Sequence, residues 1–435
     1  MSTVTTSKSF SEIISSFQTA KFGEAIDSRK KAIETLEKKG LPGSKHEEYR
    51  FTPITRAIEN VFTWKNEITP AQLSSVDQYL IPGVDANIIV FVNGQYSETF
   101  SNIISPDNEV KIKSLHEAFQ SENELIAEYF DKLVSTEADS FAAMNSSFWQ
   151  EGLFIHVPAG TTVQKPIFIL HVNDANQAQV IAHTRLLTII DSGSKISIIE
   201  KFNTIGENAS LHTFTEEIVV KDNAGLEYCK IQNDFGKAYQ IINTNIHQAD
   251  SSRVDTFTLN LNGQIVRNNF TITIAGKKCE SHFNGLYMLQ ANALADNHTV
   301  VDHQKPNSFS NEMYKGVLDG NSKGVFNGKI FVRPHAQKTN AFQSNRNIAL
   351  SPSAAINTKP QLEIWADDVK CSHGCTIGQL DEEALFYLQS RGIDKATAQG
   401  MMLYAFTAET LNTISEETLK SYIDSLISER LHKNF

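Results

Sequence analysis

The chain has 435 residues, 40% of them hydrophobic and 20% charged, with a formal net charge of −11. That balance belongs to a folded globular protein rather than a disordered one, and the length fits several domains or one long, elongated one. The acidic balance offers no basic face for a phosphate backbone, so no nucleic-acid partner is expected.

The opening residues, MSTVTTSKSFSEII, hold no apolar core of signal-peptide length. Apolar runs such as residues 88–92 stop far short of a membrane span, so no membrane is expected either. Four cysteines, two of them flanking His373, do not make a secreted disulfide framework. The expected setting is a reducing cytoplasm in which thiols stay free.

The first 150 residues read as a helical and mixed region. Residues 24–39 place Ala25, Arg29, Ala32, Ile33 and Leu36 at helical spacing, with Glu24–Arg29 and Glu34–Lys38 as outer charge pairs. Gly40 with Pro42 behind it is a stop signal. Lys45-His46-Glu47-Glu48-Tyr49-Arg50-Phe51-Thr52 reads, on its own, as a charged loop. Residues 87–93 look like a strand closed by a turn at Gly94. Residues 115–133 follow a helical pattern, and 140–149 fit either helix or strand.

From 151 to 376 the pattern becomes β-rich. Short runs at 153–157, 167–172, 185–190, 195–200, 216–220, 238–247, 254–261, 266–274 and 325–332 are separated by turn residues such as Asp191-Ser192-Gly193 and Asn262-Gly263. No amphipathic helix interrupts them. One sandwich or small barrel rarely takes so many strands, so a β-solenoid is the natural architecture. No repeat length emerges cleanly from the sequence.

Val369 to Thr376 carries the chemistry. If the segment is extended, alternate residues share a face, and Cys371, His373 and Cys375 project as one row of two thiols around an imidazole. Thiolate and imidazole hold iron, zinc and iron–sulfur clusters. Three ligands at this spacing do not complete a structural zinc site, and an inert cysteine pair beside an exposed histidine is the plain alternative. After Gly378 the pattern turns helical, with Asp381 as N-cap and Glu382 and Glu383 in the first turn. Two more helices are predicted, 394–411 and 415–431. They either cap the open end of the solenoid or dock a partner on their apolar faces.

Elsewhere chemistry is sparse. Cys229 and Cys279 read as small buried hydrophobes. His298 and His303, five apart, fall on opposite faces of an unbroken strand, and with His335 they read as ordinary core or turn histidines. There is no phosphate loop, since Gly276-Lys277-Lys278 lacks the upstream glycine and the hydroxyl. GxGxxG, GxSxG and HExxH are also missing, and Asp367-Asp368 reads as a solvated pair.

Val369 through Ile393, with Cys371-Ser372-His373-Gly374 at its head and Gln379-Leu380-Asp381-Glu382 following, resembles the C-terminal signature of the SufB/SufD family of SUF iron–sulfur assembly proteins, on the SufD side. The SufB side typically carries an LEHEAT-type segment instead. Residues 45–52 resemble that family's "hEEyRfT" segment, and 152–160, 298–303, 314–316 and 326–330 look like its β body. The resemblance implies a right-handed parallel β-helix (151–376) between an N-terminal region (1–150) and a C-terminal helical domain (377–435). It implies a non-enzymatic scaffold that meets SufB edge to edge, docks the SufC ATPase on its C-terminal helices and binds no ATP itself. A homodimer is the alternative when the chain is alone. A transient iron–sulfur cluster would form at the SufB interface, with His373 and Cys371 as ligands. Family members often carry Ala at Cys375, so only the row's geometry adds that residue to a metal set. Two other readings are a SufB-type paralogue and a solenoid enzyme acting on polysaccharide, which would need carboxylate pairs in an open groove and commonly an export signal.

Overall fold

Extended runs broken by tight turns wind into a stack of coils, each laying one strand in each of two sheets. The computed structural model describes residues 14, 25–43, 45–64 and 69–431. The opening segment and the start of the first predicted helix, including Glu24, lie outside the described residues.

The first sheet holds ten strands. From its outer end they are β2 (Gln95–Tyr96), β1 (Asn87–Val92), β5 (Ile167–Asp174), β7 (Lys195–Ile205), β9 (Gly225–Asn233), β11 (Arg253–Asn262), β13 (Glu280–Leu289), β15 (Phe309–Leu318), β17 (Asn340–Ala349) and β19 (Lys370–Gly378). The second holds nine: β3 (Lys111–Ser114), β4 (Glu151–Val157), β6 (Val180–Ile190), β8 (Ser210–Val220), β10 (Ala238–Gln248), β12 (Ile265–Ile274), β14 (Leu294–His303), β16 (Lys323–Val332) and β18 (Ala355–Ile364). From β4 onward even and odd strands alternate between the two sheets, and neighbours among them pair in parallel. The fold is mainly β, a parallel solenoid of about 8 turns flanked by helices, as the sequence predicts.

The early lumen is largely apolar, around one buried cluster of Glu200, Glu216, Tyr228 and Lys230. Ile155, Ile169, Leu186, Ile198 and Phe214 stack coil upon coil. Toward the last coils polar side chains enter: Gln232, Asn260, Asn268 and Asn297 bond one another across the lumen, with Asn268 Nδ2 2.8 Å from Gln232 Oε1 and 3.0 Å from Asn297 Oδ1. Inward polar side chains and glycines, such as Gln232 on β9, Gly285 on β13, Glu312 on β15 and Gln343 on β17, break the apolar alternation, so those strands do not stand out in the sequence. Most buried amides in a core are hydrogen-bonded in this way.

Helices cover the outer faces. Residues 115–133 form two helices rather than one, Leu115–Ser121 and Asn123–Tyr129. Glu122 breaks them, and its carboxylate turns back to Lys111 and Lys113. Ser140–Phe148 is a helix capped by Asp139 and buried along its length. It packs with Ile26–Lys39 and Ile54–Val61 on the outside of the second sheet. Arg29 donates to the carbonyls of Ser147 and Trp149 and lies over the Trp149 ring; its predicted partner Glu24 lies outside the described residues. Among the described residues no helix is long and apolar enough to cross a membrane.

The C-terminal helices Glu382–Ser390, Lys395–Ala408 and Glu417–Arg430 follow the predicted order. Leu403, Leu411, Ile423 and Ile427 bury against Leu259, Leu286, Met288 and Val317 on the outer face of the first sheet. They therefore clad its side and leave the end at β18 and β19 uncovered by apolar packing from these residues. The capping alternative is set aside by this packing.

One buried ion cluster fixes the N-terminal region to the solenoid. Arg185, 1% exposed, reaches Asp131 and Glu217 at 2.7 Å each and lies over Phe130. Glu217 also accepts the backbone N–H groups of Asp131 and Leu133. Removing one partner from such a buried pair strands the other charge, at a cost of about 3–5 kcal/mol. Arg185→Ala should lower the urea unfolding free energy by about that amount; an unchanged midpoint and slope would show that the cluster contributes nothing to stability.

Candidate functional site at the open end of the solenoid

Strand β19 is the terminal strand of its sheet, paired on one side only, with β17. Its register sets Cys371 beside Ala341, His373 beside Gln343 and Cys375 beside Asn345. All three partners are buried lumen residues, and paired residues of a parallel sheet share a face. The row of Cys371, His373 and Cys375 therefore looks into the lumen of the last coil. With no further coil above it among the described residues, His373 and Cys375 are exposed, while Cys371 is half-buried. Cys371 packs against the lumen core together with Leu362 and Val369. Ile377 continues the same face and is 54% exposed. A Cβ added at Gly374, between the imidazole and the second thiol, would meet nothing within 4 Å.

Burial raises the Cys371 thiol above its ordinary value, and a backbone hydrogen bond with Ala341 eases it in part. The neutral thiol is thus the resting form, and a metal ion must displace its proton on binding. Alternate residues on a strand stand about 6.8 Å apart, so the three groups lie along an edge instead of converging on one point. Among the described residues no group of three or more His, Cys, Asp or Glu side chains is placed to hold a metal ion. Taken alone, the row is an open line of two thiols and an imidazole and not a closed metal site.

The other predicted residues lie elsewhere. Cys229 is buried under the C-terminal helices, and burial pushes its thiol far up. Cys279 sits in the lumen core with Sγ 3.1 Å from the Ala249 carbonyl oxygen. His298 and His303 do fall on opposite faces of β14: His303 turns inward to Ser310 at 2.9 Å, and His298 outward to Asp296 and Glu48. His335 is exposed on the turn after β16.

Sequence reasoning missed what surrounds Glu48. Residues Glu47–Tyr49 form a single 3-10 turn running across four coils of the second sheet. Arg267 on β12 donates to the Glu48 carbonyl, His298 on β14 and Lys329 on β16 reach its carboxylate at 3.2 and 2.7 Å, and Lys359 on β18 pairs with Glu47. The hydrogen bond from His298, then the Lys329 ammonium, holds the Glu48 carboxyl far below the usual range despite partial burial. What reads as a charged loop is a strap along the solenoid axis. A charge run carries no periodicity from which that could be foreseen.

Sequence reasoning also missed the layers under the row. Gln343, 3% exposed, donates from Nε2 to Glu312 Oε2 at 2.7 Å, and Glu312 on β15 is 1% exposed. The mouth of the solenoid thus rests on a buried carboxyl. Thiol chemistry tests this layout directly. With a neutral maleimide at pH 7.5, Cys375 should be alkylated first and Cys371 more slowly, whereas Cys229 and Cys279 should need denaturant. Peptide mapping that found Cys229 or Cys279 modified as fast as Cys375 would contradict the geometry.

Comparison with known proteins completes the picture. Residues 171–406 match the family described as SUF system FeS cluster assembly, SufBD core domain, and residues 8–169 match the SufBD protein N-terminal region. The chain is 30% identical over 403 residues to the iron–sulfur cluster assembly protein SufD of Escherichia coli, covering 92% of this chain and 91% of that one. It is 28% identical over 415 residues to an iron–sulfur cluster assembly SufBD family protein of Synechocystis, covering 93% and 91%. It is 26% identical to the chloroplastic protein ABCI7 of Arabidopsis thaliana, covering 90% and 83%. The polysaccharide reading has no support in these matches. A parallel solenoid with a thiol–imidazole row at its open end, matched along nearly its whole length, belongs to the SufBD family of SUF-system iron–sulfur cluster assembly proteins.

Proposed function

We propose that this chain is a SufD-type scaffold subunit, without catalytic turnover of its own, in a cytoplasmic SufB–SufC–SufD assembly that builds iron–sulfur clusters. The observation that carries this reading is the bare terminal strand β19, with Cys371, His373 and Cys375 along its lumen face. A free strand edge recruits another strand by backbone pairing. A SufB strand added there would bring further thiol or carboxylate donors over the row. Iron and sulfide, the cargo, would then be shared between the two chains, with His373 and Cys371 as this chain's ligands and Cys375 available as a third. In the absence of SufB, a second copy of this chain fits the same edge.

SufC would dock on the helix Glu382–Ser390. None of its residues is buried, and Phe386 and Tyr387 are 72% and 56% exposed. Two adjacent exposed aromatics are the usual core of a protein contact. The sequence holds no phosphate loop, which fits ATP hydrolysis by a separate subunit. Closure of two SufC copies would pull on these helices and open the buried contact at β19, a hinge-type switch.

His373→Ala should fold normally yet fail to support cluster assembly in a strain lacking its own copy of the gene, read as loss of growth under iron limitation. Normal growth would remove His373 from the site. Phe386→Asp should abolish co-purification with SufC while leaving the thermal transition in place, and retained binding would move the SufC contact elsewhere. The purified chain alone should hydrolyse no ATP above background.

A further inference from the structure

Beneath His373 the lumen face of the first sheet carries a straight column. Register pairs Phe283 on β13 with Glu312 on β15, Glu312 with Gln343 on β17, and Gln343 with His373 on β19. Neighbouring strands stand about 4.8 Å apart, so each side chain lies one step below the next. Gln343 spends its Nε2 on Glu312 Oε2. Its Oε1 is buried and has no hydrogen-bond partner among the described residues. An amide oxygen shut away from water without a donor is costly, and the next residue up the column is an imidazole, which carries an N–H in either tautomer. The column is made to fit: a Cβ at Gly328, in the facing sheet, would overlap the Gln343 amide, and one at Gly285 would overlap the Tyr314 ring.

We propose that Glu312 and Gln343 are positioning residues for His373: the carboxyl orients the Gln343 amide, and the amide oxygen accepts the N–H of one imidazole nitrogen, leaving the other free for a metal ion. The inference rests on the reading of His373 as a cargo ligand. A metal-binding imidazole needs its second nitrogen held by an acceptor, and loss of that acceptor typically weakens metal binding 10–100-fold.

The arrangement has a built-in proton dependence. An ionised carboxylate only accepts, so Gln343 must turn its NH2 downward and its carbonyl upward. A protonated carboxyl can donate to the carbonyl instead. The amide then turns over, presents N–H to the mouth and selects the opposite imidazole tautomer, whose free nitrogen no longer faces outward. The proton comes from solvent and stays on Glu312. Burial raises this carboxyl to about 7, with the hydrogen bond from Gln343 and the nearby Thr299 hydroxyl pulling the other way. The groups that face it are Phe283 on β13, Thr299 on β14, Gly328 on β16 and Gln343 on β17, and the titratable neighbour is the Tyr314 phenol on its own strand. Metal capture at the mouth should therefore strengthen as pH rises through about 7, beyond what loss of the imidazole's own proton gives.

The test uses the full chain with 15N-labelled histidine, His373 being assigned by its loss in His373→Ala. In the parent the two ring-nitrogen shifts should report one dominant neutral tautomer at pH 8 and a changed ratio at pH 6. In Glu312→Gln that pH dependence should vanish. In Gln343→Leu the ratio should become that of free imidazole at every pH, and Co(II), used as the metal probe, should bind about 10–100-fold more weakly. Unchanged signals from the buried His171, His183 and His212 certify that each variant is folded. Tautomer ratios identical in the parent and both variants would overturn the inference. A parent that shows the tautomer step but binds no Co(II) at His373 would uphold the hydrogen-bonded column and overturn the reading of His373 as a ligand.

Discussion

Each coil of this solenoid satisfies its backbone only through the coils above and below it, so the stack must end on strands with donors and acceptors to spare. Side chains cannot remove that debt of unpaired groups; it can be hidden, blunted or used. At the far end β1 and β4 are closed off by short antiparallel strands, β2 and β3. At the near end the two sheets differ. β18 carries Pro360, which has no N–H to offer, and its Lys359 is tied down by Glu47. β19 carries no proline and shows two glycines, Gly374 and Gly378, that stand in open space. One edge is blunted and one is left usable, and the thiol–imidazole row lies on the usable one.

The lumen changes to suit that end. Aliphatic and aromatic side chains line most of the early coils, where burial is favourable by about 25 cal/mol per Å2, with Glu200, Glu216 and Lys230 paired among them around the Tyr228 hydroxyl. Amides, a carboxyl and tyrosine hydroxyls fill the later ones, bonded to each other: Asn345 Nδ2 to Tyr287 Oη at 3.0 Å, and Asn347 Nδ2 to Asn345 Oδ1 at 2.7 Å. An apolar lumen ending in open solvent would present a sticky patch. A polar lumen can meet water at the mouth and still be dry and fixed two layers down. The crowding at Gly285 and Gly316 is the steric side of the same design: a Cβ there would overlap the rings of Tyr314 and Tyr287.

The architecture was readable from the sequence because its physics is local. Alternating apolar runs and Asn, Asp and Gly turns mark strands wherever the lumen side is apolar, and Asp381 marks a helix start that the structure keeps, its carboxylate accepting from Glu383 and Ala384. The shared face of Cys371, His373 and Cys375 follows from spacing alone once the segment is extended. What lay beyond reach depends on partners distant in sequence. Gln343 meets Glu312 across 31 residues, and Glu48 meets Lys329 across 281. Nothing near Arg29 in sequence announces the carbonyls of Ser147 and Trp149 that it also reaches. The placement of the C-terminal helices was open for the same reason, since an amphipathic face says that it will be buried and not against what.

The cladding of those helices also connects the two ends of the proposed machine. Lys315 on β15 is 2% exposed on the outer face, where its ammonium donates to the Phe406 carbonyl and the Glu409 carboxylate at 2.7 Å each. Phe406 lies in the last turn of helix Lys395–Ala408, so a buried cation sits where the helix dipole is negative. Asn284 on β13 adds a bond to the Thr410 carbonyl. Lys315 lies three positions along the strand from Glu312, with Tyr314 between them turned into the lumen. A displacement of the helices is therefore delivered to the same strand that carries the carboxyl beneath the row. Strands within a packed stack slide or tilt as units rather than bending residue by residue. A pull on the helices would thus be felt first at β13 and β15, and through the ladder of β15 with β17 at the edge strand β19.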